Sequence, residues 1–134
     1  MNDFWQKRVL IVAAGWNLLG GSSALLDPPR HFAQLFTESL SLGDPLQAFF
    51  FRCTWINVIA WGVAYLLAAF WQSSRLAVLL AGGAGKVAYC GACIALYSTG
   101  VGKPMLLAAG IVDLTLAALF AVALLSNRRG SALR

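Results

Sequence analysis

Charged residues are scarce in this sequence. They make up 11% of its 134 residues, with five acidic side chains, whereas 60% of the residues are hydrophobic and the mean hydropathy is +0.74. A soluble domain is typically about 25% charged and about 45–50% apolar. The composition therefore excludes an ordinary soluble domain and predicts a single integral membrane domain over residues 1–134.

Histidine and cysteine are scarce as well. His31 is the only histidine, and all three cysteines, Cys53, Cys90 and Cys93, lie inside apolar runs. Metal sites and disulfide frameworks require several such residues at regular spacings. We therefore expect neither a metal site nor a disulfide framework.

Four apolar runs are each long enough to cross a bilayer, which requires about 20 helical residues. They cover about residues 9–26, 48–71, 75–98 and 104–126, and polar segments separate them. The fold class is therefore predicted as all-α, with four transmembrane helices in an antiparallel bundle whose outer surface contacts the lipid bilayer.

The first loop carries the signals of one more helix. Asp27 is followed by two prolines, which is typical of a helix cap, and apolar side chains then recur at helical spacing. These side chains are Phe32, Leu35, Phe36 and Leu40. We predict a short amphipathic helix at the membrane interface, ended by Gly43.

Positive charges predict which way the chain crosses the membrane. In a four-span series both termini and the middle turn share one side, which holds six basic residues, whereas the other side holds two. The six are Lys7, Arg8, Arg75, Arg128, Arg129 and Arg134, and the two are Arg30 and Lys103. The positive-inside rule then predicts cytoplasmic termini. Because these membrane-edge clusters explain the net charge of +5, no nucleic-acid partner is expected.

One strongly polar residue lies near the middle of each apolar run. A rise of 1.5 Å per residue places Lys86 about 16 Å from one face and Asp113 about 14 Å from the other, which is the same level in a core about 30 Å thick. Asn17 and Asn57 fall close to this depth. A lone charge there costs about 2.5–3.5 kcal/mol, so we predict a Lys86–Asp113 ion pair whose remaining hydrogen bonds are filled by both asparagines. The layer is either structural, fixing the helix order, or a site that handles a ligand or protons.

Large aromatic residues share the helix faces of this polar layer. They are Trp16, Trp61, Tyr65 and Tyr89. Side chains of this kind line apolar cavities that accept a quinone, a lipid or another apolar molecule. The same pattern is also produced by plain core packing, and both interpretations stay open.

The third run is rich in small residues. Gly82-Gly83-Ala84-Gly85-Lys86 lacks the spacing of a phosphate-binding loop, so we expect these glycines to let a neighbouring helix approach closely. Cys90 and Cys93 form a C-x-x-C pair that is capable of thiol–disulfide chemistry. The alternative is that both cysteines are small residues at a helix contact.

Several short motifs together resemble the DoxX-like group of small bacterial membrane proteins. They are Asn17-Leu18-Leu19-Gly20-Gly21, Asp27-Pro28 with Phe32 and Phe36, Gly62-Val63-Ala64-Tyr65, Gly85-Lys86, and Asp113-Leu114 with Phe120. The resemblance implies a four-helix bundle in the bacterial inner (plasma) membrane. It also implies an association with membrane oxidoreductase complexes and with quinone or sulfur chemistry.

The preferred functional prediction is a protein without catalytic residues of its own. It either binds an apolar, quinone-like or lipid-like ligand or serves as an accessory subunit, with a membrane-complex partner or a second copy of the chain. One alternative is a proton-coupled transporter that uses Lys86 and Asp113. Another is a membrane redox protein that uses Cys90 and Cys93.

Overall fold

A computed structural model describes residues 3–131 of the chain, with side chains up to residue 126. The basic tail that contributes to the predicted orientation lies mostly beyond this range. Arg134 is outside the described residues, and only the helical backbone is described for Arg128 and Arg129.

Four long α-helices, one short α-helix and a 3-10 turn at Gln72–Ser74 make up the helical structure of the described residues, which confirms the all-α prediction. The long helices are α1 (Asp3–Leu26), α3 (Pro45–Phe70), α4 (Arg75–Ser98) and α5 (Pro104–Ser131), and the short one is α2 (Pro28–Leu35). All four long helices are long and apolar enough to cross a membrane. The chain is therefore a multi-pass membrane protein. Helix α1 begins six residues before the apolar run, because residues 3–8 are helical as well.

The first loop folds differently from the prediction beyond Leu35. The Asp27 side chain caps α2 by accepting the Arg30 backbone N–H, as expected, but the helix ends at Leu35 instead of continuing through Leu40. From Phe36 the backbone is extended, because it pairs with the turn between α4 and α5. The Thr37 N–H donates to the carbonyl of residue 101 at 2.9 Å, and the N–H of residue 103 donates to Leu35 at 2.8 Å.

Glycine contacts hold α1 against α3. A Cβ atom added to Gly21 would lie 2.5 Å from Cγ1 of Ile59, and one added to Gly62 would lie 2.8 Å from Cγ of Leu18. No side chain fits at such distances, so only glycine permits this helix separation. Helix α4 packs in a similar way on α5, and the bundle consists of these two pairs.

The two pairs join each other in the half of the bundle that contains the amino terminus, which we call the inner half. A cluster of buried side chains from all four long helices fills it, with Leu10, Tyr65, Leu79 and Phe120 as its largest members. Towards the other end the pairs separate. There a smaller cluster of Leu35, Cys93 and Leu106 connects α2 to α4 and α5.

Arg75, one of the six basic residues counted on the side of the termini, is the first residue of α4 and is buried at that end of the bundle. It is only 7% exposed. Its guanidinium donates to the carbonyls of Ala68 and Ala69, both at 2.8 Å, and forms an ion pair with Asp3. Because the last carbonyls of a helix have no partners within that helix, Arg75 caps α3 and connects it to α1.

Candidate functional site

The predicted ion pair between α4 and α5 is present. The Lys86 Nζ atom donates to Oδ1 of Asp113 and, at 3.1 Å, to Oδ1 of Asn17. Both charged residues are buried, with exposures of 4% for Lys86 and 8% for Asp113. The prediction of an ion pair assisted by Asn17 is therefore confirmed.

Asn17 connects three helices at this level. Its Oδ1 atom accepts from Lys86 on α4, and its Nδ2 atom donates to the carbonyl of Val58 on α3 at 3.3 Å. Asn57 does not fill the role that the sequence predicted for it. It makes no hydrogen bond to the ion pair and is exposed, because the helix pairs separate here and its side chain faces the gap between them.

A cavity of about 980 Å³ occupies this gap. Its wall includes all four residues of the predicted polar layer and all four aromatic residues predicted to line a cavity. They are Asn17, Asn57, Lys86, Asp113, Trp16, Trp61, Tyr65 and Tyr89. The structure thus brings the two predicted sets together around one space, and ligand binding by them stays a prediction.

Glycines on α4 shape the inner end of this cavity. A Cβ atom added to Gly82 would lie 2.5 Å from the hydroxyl oxygen of Tyr65, so the tyrosine ring lies directly on the α4 backbone and ends the cavity there. This confirms for Gly82 the close approach expected of the glycine stretch. Gly85 has no atom within 4 Å of its missing Cβ, and it faces the open space of the cavity.

The cavity is covered at the outer end and open at the side. Phe32, Leu35 and Phe36, from α2 and the residue after it, form the cover. Trp16 and Tyr89 also line the cavity, and they are 41% and 37% exposed. Both are within three residues of the ion-pair layer, at mid-membrane depth. An opening at that depth leads to the hydrocarbon of the bilayer and not to water.

The two cysteines of the C-x-x-C pair are free thiols at a helix contact. Cys90 and Cys93 are both buried, and a Cβ atom added to Gly110 of α5 would lie 2.9 Å from Cβ of Cys93. Cys93 also touches the cavity, whereas Cys90 does not line it. Residues three apart on a helix have Cβ atoms about 5–6 Å apart, and a disulfide requires about 3.5–4.5 Å. This geometry favours the interpretation as small packing residues.

His31 lines the cavity as well, although the sequence pattern gave no reason to place it there. Its Nδ1 atom lies 3.1 Å from Oγ of Ser23 on α1, and its ring meets Trp55 of α3 edge to face at 4.5 Å between centroids. Burial lowers the pKa of His31 below its usual 6.5, which favours the neutral ring. His31 reaches the cavity because α2 docks on the bundle. No local sequence pattern indicates that docking, so the position of His31 could not be predicted.

Among the described residues, no three His, Cys, Asp or Glu side chains lie close enough to hold a metal ion. No protein-family model, curated protein or solved structure matches the chain.

Proposed function

We propose that this protein binds an apolar, membrane-soluble molecule in the cavity between its two helix pairs. The observation that carries the proposal is a cavity of about 980 Å³ at mid-membrane depth, with aromatic walls and a side opening towards lipid. Small-molecule sites typically have about 300–1,000 Å³ and apolar walls with a few placed polar groups. The ligand class is lipid-like or quinone-like, and it enters from the bilayer.

The inner half of the bundle supports binding over transport. Between the ion pair and the inner end of the bundle, buried side chains fill the space between the helices. The largest are Leu10, Tyr65, Leu79 and Phe120. A transported molecule or a chain of water would have to displace these side chains. The burial of the C-x-x-C pair against α5 likewise supports a ligand-binding function over thiol chemistry.

We also propose that the protein is a DoxX-like protein of the bacterial inner membrane with cytoplasmic termini. The support is the distribution of basic residues and the sequence motifs. An accessory role, with a membrane-complex partner or a second copy of the chain, stays a prediction beside ligand binding.

Filling the cavity tests the proposal. Gly85 lies on the cavity wall with nothing within 4 Å of its missing Cβ, so the Cβ of Gly85→Leu meets no neighbour and we expect the rest of its side chain to occupy the cavity. Gly91 lies on the same helix, is exposed, does not line the cavity and also has no atom within 4 Å. Gly91→Leu is therefore a matched control. Both changes replace a helix-weakening residue by a strong helix former, which favours folding by roughly 1 kcal/mol.

The measurement is quenching of tryptophan fluorescence by 1-bromododecane in lipid nanodiscs. Three of the five tryptophans, Trp16, Trp55 and Trp61, line the cavity, so a bound bromoalkane should quench them in a saturable way. We expect saturable quenching in the original protein and in Gly91→Leu, and only the linear quenching from bulk lipid in Gly85→Leu. Saturable quenching that survives in Gly85→Leu, or that is absent from the original protein, contradicts the proposal.

A further inference from the structure

Two polar atoms on the cavity wall have no hydrogen-bond partner within the described residues. They are the Oδ2 atom of Asp113, which uses only Oδ1 in the ion pair with Lys86, and the hydroxyl of Tyr65. Both residues are more than nine-tenths buried, with exposures of 8% for Asp113 and 2% for Tyr65. Native structures pair nearly all such atoms, because an unpaired buried polar atom costs free energy.

Both atoms can be reached from the cavity. Among the side chains of the described residues that are not exposed, Nε2 of His31 is the one nitrogen or oxygen that is both unpaired and inaccessible. The Asp113 and Tyr65 oxygens are unpaired, so they must be accessible. Asp113 and Tyr65 line the cavity of about 980 Å³, and neither lines the smaller groove between α4 and α5. Their accessible surface therefore lies on the cavity wall.

The two atoms lie at the same end of the cavity. The Tyr65 hydroxyl lies on Gly82 of α4, where the ring closes the cavity. Lys86 is one turn further along α4, and its Nζ atom lies 5.5 Å from the centroid of the same ring and donates to Asp113. Asp113 and Tyr65 thus both adjoin Lys86 at mid-membrane depth, and we call this part of the wall the cavity floor.

The chemistry of the cavity floor selects a hydroxyl group. A carboxylate oxygen only accepts hydrogen bonds, whereas a tyrosine hydroxyl donates one hydrogen and can also accept. A charged head group is disfavoured, because a cation would meet Lys86 and an anion would meet the open oxygen of Asp113. A neutral hydroxyl can donate to Asp113 and accept from Tyr65 through the same oxygen atom.

We propose that the cavity floor binds the hydroxyl of an alcohol or phenol, which donates to Oδ2 of Asp113 and accepts from the Tyr65 hydroxyl. This inference rests on the proposed function and names the polar group of the ligand. The apolar remainder of the molecule lies along the aromatic wall and points to the side opening at Trp16 and Tyr89. The ligand is therefore bound with its polar end at the middle of the bilayer.

The experiment compares two probes of similar size that differ at the head. 1-Decanol donates a hydrogen bond, and 1-fluorodecane does not. Each is titrated against bound 1-bromododecane in nanodiscs, with the probe concentration counted in the lipid and with recovery of tryptophan fluorescence as the signal. Hydrogen bonds to charged groups are stronger than neutral ones, so we expect the original protein to bind the alcohol about ten- to a hundredfold more tightly.

Three variants assign that preference to the cavity floor. Tyr65→Phe keeps the aromatic ring but removes the hydroxyl, so the preference for the alcohol should fall about three- to tenfold. The double variant Lys86→Met with Asp113→Leu removes the carboxylate without leaving a buried charge unpaired, and the preference should fall about tenfold or more. Tyr97→Phe is the matched control and should keep the preference, because Tyr97 is exposed on α4 and does not line the cavity.

The outcomes separate this inference from the proposed function. Equal binding of both probes to the original protein overturns the role of the cavity floor and means that water pairs with its two atoms, while saturable binding of the bromoalkane leaves the proposed function standing. An alcohol preference that is unchanged in Tyr65→Phe and in the double variant places hydroxyl recognition elsewhere and also overturns the inference. If neither probe displaces the bromoalkane, or the bromoalkane shows no saturable binding, the proposed function itself fails.

Discussion

Replacing both members of the buried ion pair with apolar residues should cost far less than replacing each one alone. In Lys86→Met the Asp113 carboxylate stays buried without its cation, and in Asp113→Leu the ammonium keeps only Asn17. Removing one partner of a buried pair typically costs about 3–5 kcal/mol. Independent effects would therefore add to about 6–10 kcal/mol in the double variant.

The structure predicts a much smaller cost for the double variant. Neither charge remains, so the one loss left is the donor to Oδ1 of Asn17, and an unpaired buried acceptor costs about 1–3 kcal/mol. Methionine resembles lysine in size, and leucine is larger than aspartate, but both positions border the cavity of about 980 Å³, which leaves room for the new side chains to adjust. We expect the free energy of unfolding to fall by about 1–3 kcal/mol in the double variant.

The assay is unfolding in mixed micelles at increasing SDS mole fraction, followed by tryptophan fluorescence. Asp3→Asn is a suitable control, because it breaks the other ion pair of the described residues, between Asp3 and Arg75. The Asp3 side chain is 60% exposed, so its replacement should have a much smaller effect on stability. Two results would refute the reasoning. One is that the single variants unfold like the original protein. The other is that the double variant loses as much free energy of unfolding as the two single variants together.

Two further predictions concern the bundle ends. Arg75→Gln should lower the free energy of unfolding by about 2–4 kcal/mol, because two carbonyls of α3 lose their buried donors. Unfolding in SDS measures this change, with Arg8→Gln at an exposed position as the control. An effect of Arg75→Gln no larger than that of the control would contradict the prediction. Because burial lowers the pKa of His31 below 6.5, stability should be constant above about pH 6.5 and decrease below it, as the unfolded chain gains a proton before the folded one. Thermal unfolding at pH 7.5 and 5.0 checks this, and the decrease should be smaller in His31→Phe.

The sequence predicts the ion pair well, since helical rise and the cost of an isolated charge in lipid both limit where Lys86 can find a partner. Both members lie in the middle of regular helices, where depth follows from counting residues. Asn57 lies at a similar depth, but its side chain points into the gap between the two helix pairs instead of towards the ion pair. Whether it can reach the ion pair depends on how far apart the two helix pairs stand. That distance is set by contacts such as Tyr65 of α3 on Gly82 of α4, which involve residues from separate helix pairs.

The end of α2 and the position of His31 could not be predicted for a related reason. The apolar spacing through Leu40 favours a longer helix, but the backbone of Phe36 and Thr37 finds partners in the turn between α4 and α5. Those partners are far along the chain and have no local signature. The same docking brings His31 to the cavity wall, so both differences from the prediction have one cause.

The attachment of the first loop to the last turn also sets an order for assembly in the membrane. The hydroxyl of Thr37 donates to the carbonyl of Val101, 64 residues later in the chain, and Asp113 reaches Lys86 from the last helix. A chain inserted from its amino end therefore has neither its cover nor its ion pair until α5 arrives. The binding cavity comes into existence only with the final span, so a truncated or stalled chain contains the aromatic wall but no enclosed site.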